Sequence, residues 1–74
     1  MAKQSTIVTV NGITATVDLD LGTASLVRDG AKWTGHAVWI DGVRIGPRPY
    51  GQDPCKVFGE ADVRAAETAL SAAL

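Results

Sequence analysis

At 74 residues the chain has room for one domain with a small core, near the lower limit for folding without a metal or disulfides. Seven Lys and Arg against eight Asp and Glu give a formal net charge of -1, which excludes a general electrostatic pull toward nucleic acid or an anionic membrane. Cys55 has no second cysteine to form a disulfide with, and one Cys with one His, His36, falls short of a four-ligand Cys/His metal site.

The first six residues, M-A-K-Q-S-T, lack the apolar run of a secretory signal, and no stretch approaches membrane-spanning length. The lone cysteine fits a reducing compartment. These features predict a single domain over residues 1–74, located in the cytoplasm of a host cell, with no membrane partner.

Residues 6–20 alternate β-branched and polar side chains around Asn11-Gly12. That dipeptide suits a two-residue hairpin turn, which needs positive φ at both central positions. The turn pairs Val10 with Ile13, Val8 with Ala15 and Thr6 with Val17 on one face, continued by Leu19 and Leu21. Ile7, Thr9, Thr14, Thr16, Asp18 and Asp20 take the other face, as in an antiparallel sheet with one dry side and one wet side. Gly22-Thr23 predicts a second turn, with Leu21 opposite Ala24 and Leu19 opposite Leu26. Asp29-Gly30 predicts a third, with Leu26 opposite Trp33, and Asp41-Gly42 a fourth, with Ile40 opposite Val43, Trp39 opposite Arg44 and Val38 opposite Ile45. Successive tight turns describe a β-meander of about five strands over residues 6–45.

Strict alternation from Leu26 through Trp33 puts Ala37, Trp39 and Arg44 on the dry face and expels Val38, Ile40, Val43 and Ile45. Burying an aliphatic side chain is worth roughly 1.5–3 kcal/mol, so four of them outweigh Trp39 and Ala37. An extra residue at Gly35, forming a β-bulge, restores the favourable pattern, and glycine inside a strand commonly marks one. With the bulge, Trp39 and Arg44 stand side by side on the outside of the sheet.

Residues 46–58 hold all three prolines, Pro47, Pro49 and Pro54, and read as an irregular loop, a type of segment that is often functional. Residues 59–74 predict an α-helix. Gly59 caps it, Glu60 and Asp62 lie where the helix dipole favours negative charge, and Phe58 and Val63 form a hydrophobic staple. Val63, Ala66, Ala69, Leu70, Ala73 and Leu74 share one face, while Glu60, Arg64, Glu67, Thr68 and Ser71 lie opposite, with Glu60 and Arg64 spaced to pair. The predicted fold is α+β, an antiparallel β-meander with one C-terminal helix packed on one face.

No catalytic, cofactor-binding or metal-binding set emerges. His36 lacks an oriented partner in the pattern of a catalytic triad, Cys55 has only Lys56 as a charged neighbour, and no calcium-loop or phosphate-loop motif is present. A non-enzymatic protein is expected. Its candidate partner-binding residues are Trp39 and Arg44, a cross-strand pair able to stack, with Arg48 and Tyr50, which Pro47 and Pro49 hold semi-rigidly.

Lys32-Trp33, residues 37–40 (A-V-W-I), residues 41–44 (D-G-V-R), Phe58 and the alanine-rich residues 61–70 resemble the three-strands-plus-helix DNA-binding domains of AP2 type, including the arm-binding domains of phage integrases. That resemblance implies that Trp39 and Arg44 enter a DNA groove from the sheet face opposite the helix. In length, turn-rich strands and a short alanine-rich helix, the whole chain resembles the small anti-CRISPR proteins of phages and mobile elements. This second resemblance implies an inhibitor without catalytic apparatus that covers a surface of a Cas protein. The neutral charge ranks a protein partner first and DNA second. A structural or self-associating phage protein is the third expectation, with Ala61, Ala65 and Ala72 as the seam of a homodimer.

Overall fold

A computed structural model describes residues 4–74; residues 1–3, the start of the stretch read as lacking a secretory signal, lie outside the described residues. Strands β1 (Ser5–Val10), β2 (Ile13–Asp18), β3 (Thr23–Arg28), β4 (Ala31–Trp39) and β5 (Val43–Gly46) form one antiparallel sheet in the order β1-β2-β3-β4-β5. A short helix α1 (Pro54–Phe58) and a longer helix α2 (Glu60–Ala73) follow. The α+β meander with a C-terminal helix is the architecture expected from the sequence.

Two turns form as the sequence predicts. Asn11 and Gly12 adopt φ of 51° and 77°, and Val10 pairs with Ile13, Val8 with Ala15 and Thr6 with Val17. Asp29 and Gly30 adopt φ of 50° and 81°, which sets Leu26 opposite Trp33. The β2–β3 connection differs: it spans residues 19–22, the Asp18 carboxylate accepts a hydrogen bond from the Leu21 N–H (3.1 Å), and Val17 faces Ala24 while Ala15 faces Leu26. This shift is even, so every side chain keeps its predicted face, but Leu21 ends in the loop and exposed.

The bulge at Gly35 does not form. Pairing with β3 runs unbroken through Gly35 opposite Ala24 and His36 opposite Thr23, and Trp33, Gly35 and Ala37 all point into the core. Gly35 is instead the floor on which the Trp33 ring lies. A Cβ there would meet the Trp33 indole and come within 2.5 Å of the Gly46 carbonyl oxygen. The Trp33 indole N–H donates to the Gln52 carbonyl (2.7 Å), so a large ring is buried with its polar atom satisfied. The β4–β5 turn then takes three residues, 40–42, and pairs Trp39 with Val43, Val38 with Arg44 and Ala37 with Ile45. This odd shift of register buries Val43 and half-buries Ile45 without a bulge, and leaves only Val38 and Ile40 outside.

The predicted loop over residues 46–58 is also shorter than expected. Asp53 caps α1 by accepting from the Cys55 N–H (2.9 Å), and Pro54 occupies the first helical turn, where its missing N–H costs nothing. Phe58 and Val63 both reach the core. Helix α2 packs against β1, β2 and β5, so the sheet curls until both of its edge strands flank the helix. Ile13, Val17, Leu26, Trp33 and Val43 from the sheet meet Phe58, Val63, Ala66 and Leu70 from the helices. At the far end Arg28 ties β3 to the helices, pairing with the Asp62 carboxylate (2.6 Å) and donating to the Phe58 carbonyl (3.0 Å). No helix among the described residues is long and apolar enough to cross a membrane.

Candidate functional site

Of the four residues singled out from the sequence, Trp39 and Arg44 flank the β4–β5 turn and Arg48 and Tyr50 follow β5 in the chain, but they do not form a stacked pair. Trp39 is the last residue of β4 and faces Val43 across the ladder, which puts it on the same side of the sheet as α2. It sits beyond the core and is 53% exposed. Arg44 faces Val38 on the outer side. The expected Trp39–Arg44 stack is therefore replaced by two residues on opposite faces. The cation–π contact that does form sets Arg28 over the Phe58 ring (5.6 Å).

Beyond β5, residues 48–51 form a tight turn closed by the Gly51 N–H on the Arg48 carbonyl (2.7 Å). Pro49 and Tyr50 are its central residues, and Tyr50 adopts φ of 66°, a left-handed conformation that side-chain-bearing residues take at a cost. Tyr50 is fully exposed there rather than packed over the sheet edge. Arg48 lines a shallow outer-face groove with Thr16, Asp18, Thr23, Ser25 and Thr34. His36, Val38, Arg44 and Pro47 line a second groove beside it. Thr16, Ser25 and Thr34 are direct cross-strand neighbours, a row of hydroxyls running across three strands.

Between these exposed groups lies a closed edge that the sequence reading missed. The outward N–H of Val43 donates to the Ser71 hydroxyl (2.7 Å), and the outward N–H of Ile45 donates to the Glu67 carboxylate (2.9 Å). Ser71 in turn donates to the Glu67 carbonyl one turn earlier (2.7 Å). Glu67, assigned above to the solvent face of the helix, is 3% exposed. Arg64 pairs with it at 3.3 Å in place of the expected Glu60, and Arg44 approaches it to 4.0 Å. Glu67 and Ser71 are four apart and so share one helix flank, a signal present in the sequence. The sequence does not say that a strand edge would run past that flank.

Two further candidates from the sequence are Cys55 and His36. Cys55 lies in the first turn of α1, where a helix N-terminus ordinarily favours thiolate. Burial and the adjacent Asp53 carboxylate nevertheless push its thiol up from the ordinary value, toward the protonated form. His36 is exposed on the outer face. Among the described residues no group of three or more His, Cys, Asp and Glu is placed to hold a metal ion.

No protein-family model matches the chain, and no curated protein or solved structure matches it either.

Proposed function

We propose that the chain is a small non-enzymatic inhibitor that acts by covering a surface of a protein partner. A Cas protein, the target of the inhibitors its layout resembles, is the first partner to test. The observation that carries this reading is the run of exposed large side chains along the β5 side. Val38, Trp39 and Ile40 are 49%, 53% and 63% exposed, and Tyr50 stands clear of the fold on a strained turn. Exposed aromatic residues held on rigid backbone provide contact area at low entropic cost, which is where binding energy concentrates. Trp39 on the helix side and Arg44 on the outer side flank the β5 edge, so a partner that wraps this edge reaches both, with Tyr50 beyond them and Arg48 on the adjoining outer face. Because the β5 N–H groups are already taken by Glu67 and Ser71, recognition on this side proceeds through side chains rather than strand addition.

The test is inhibition of target cleavage by purified Cas effectors, with wild type and with Trp39→Ala combined with Tyr50→Ala. The reading predicts inhibition by wild type, and its loss in a double variant that melts like wild type. Equal behaviour of the two proteins toward every effector would refute it.

One observation supports DNA as a second reading. The outer sheet face carries Lys32, His36, Arg44 and Arg48 against the single carboxylate of Asp18, so local charge is more basic than the net value of -1. A gel shift that weakens steeply with salt and is lost in Arg44→Ala combined with Arg48→Ala would favour it over the protein-binding reading.

A further inference from the structure

Among the described residues the opposite edge of the sheet has no such closure. In β1 the N–H and C=O groups of Gln4, Thr6, Val8 and Val10 point toward β2, as the Val10–Ile13 turn pairing and the Leu19 N–H on the Gln4 carbonyl (2.8 Å) fix. Those of Ser5, Ile7 and Thr9 therefore point away from the sheet. No side chain among the described residues donates to them or accepts from them, and all three residues are exposed, Ile7 by 62%.

Native sheets ordinarily protect an exposed edge with a charge, a proline, a bulge or a covering element. Among the described residues the strand S-T-I-V-T-V has none of these: it is six residues long, uncharged, and five of the six are β-branched. We infer that β1 is a self-association edge whose occupant is β1 of a second copy of this chain, joined antiparallel about a two-fold axis at Ile7.

The register makes the strand complementary to itself. Centring the axis on Ile7 sets Ile7 opposite Ile7 of the second copy, and sets Ser5 and Thr9 opposite Thr9 and Ser5 of that copy. Each of these three pairings exchanges two main-chain hydrogen bonds, and together they use every outward group of the strand. The two Ile7 side chains meet on the outer face, where each is otherwise in water. The arrangement of charge agrees. Lys32, His36 and Arg44 lie on or beyond β4, while the rows next to the seam hold Ser5, Ile7, Thr9, Thr14 and Thr16, with Asp18 opposite Ser5 at the strand end as their one charged side chain, so the centre of the seam at Ile7 is uncharged. A strand from a different protein would need no such two-fold match. This association is independent of the β5 side and leaves Trp39 and Tyr50 free on both copies.

Sedimentation over a wide concentration range tests the inference. Wild type is expected to pass from monomer to dimer. Ile7→Lys, which places a charge on the seam, is expected to remain monomeric while keeping its circular dichroism spectrum. Val38→Lys, on the same face but far from the seam, and Ala72→Glu, on the helix, are expected to dimerise as wild type does. A wild-type chain that stays monomeric at every concentration would overturn the inference. So would a dimer that survives Ile7→Lys or is broken by Ala72→Glu, the latter result giving the seam to the helix.

Discussion

The two edges of this sheet start from the same liability and end differently. Both β1 and β5 flank helix α2, and both turn a row of main-chain groups outward. On β5 the helix supplies a hydroxyl and a carboxylate at the spacing of one helical turn, which matches the two outward N–H groups of Val43 and Ile45. On β1 the helix presents its apolar residues to Val8 and Val10, and no side chain among the described residues reaches the outward groups. A helix that packs on a curled sheet can thus close one edge with its flank and leave the other to be completed by another chain. The closed edge is short and surrounded by exposed side chains, whereas the open one is longer and bare. That asymmetry underlies the two proposals, recognition through side chains on the β5 side and pairing through backbone at β1.

Substitutions can break this contrast. Gly35→Ala is expected to have the largest effect, because its methyl group would clash with the buried Trp33 ring and with the Gly46 backbone carbonyl, so that one or both must shift. Overpacking of this kind costs about 3 kcal/mol, and the thermal midpoint should fall accordingly, with the β4–β5 side loosening first. Glu67→Ala removes a charged acceptor from the Ile45 N–H and should cost about 2 kcal/mol in denaturant unfolding. It should also make β5 an open edge like β1, giving species larger than a dimer in sedimentation. Ser71→Ala removes the neutral acceptor of the Val43 N–H and should cost about 1 kcal/mol, with less tendency to assemble further. Ile7→Lys sharpens the contrast from the other side. The side chain lies on an exposed strand face, so monomer stability should change by less than about 0.5 kcal/mol while association is lost.

How far the sequence foretold this arrangement varied along the chain. Asn11-Gly12 and Asp29-Gly30 fix their turns chemically, because few residue pairs tolerate positive φ in succession, and their registers are legible without a structure. The other two turns are set by a capping carboxylate at Asp18 and by a third loop residue at Ile40, neither of which is signalled by the dipeptide at the turn. At Gly35 the argument from aliphatic burial failed because it weighed side chains one by one. It did not weigh the volume of the Trp33 ring lying over its neighbour, which requires a missing Cβ instead of an extra residue. The same error placed Trp39 beside Arg44. Their exposure, on which a binding role depends, survives the corrected register, but their stacking does not. Helix α1 was legible in the Asp53-Pro54 pair, a cap followed by the one residue that loses nothing in a first turn, and was obscured by the prolines before it. Glu67 was beyond sequence reasoning because its burial depends on a strand more than twenty residues away.

Amide hydrogen exchange followed residue by residue at several protein concentrations tests the difference between the edges most directly. The account predicts that the Val43 and Ile45 amides are protected to the same degree at every concentration, because their acceptors belong to the same chain. The Ile7 and Thr9 amides should exchange quickly in dilute solution and become protected as concentration rises. Rapid exchange at Val43 and Ile45, or protection of Ile7 and Thr9 that is already complete in dilute solution, would contradict it.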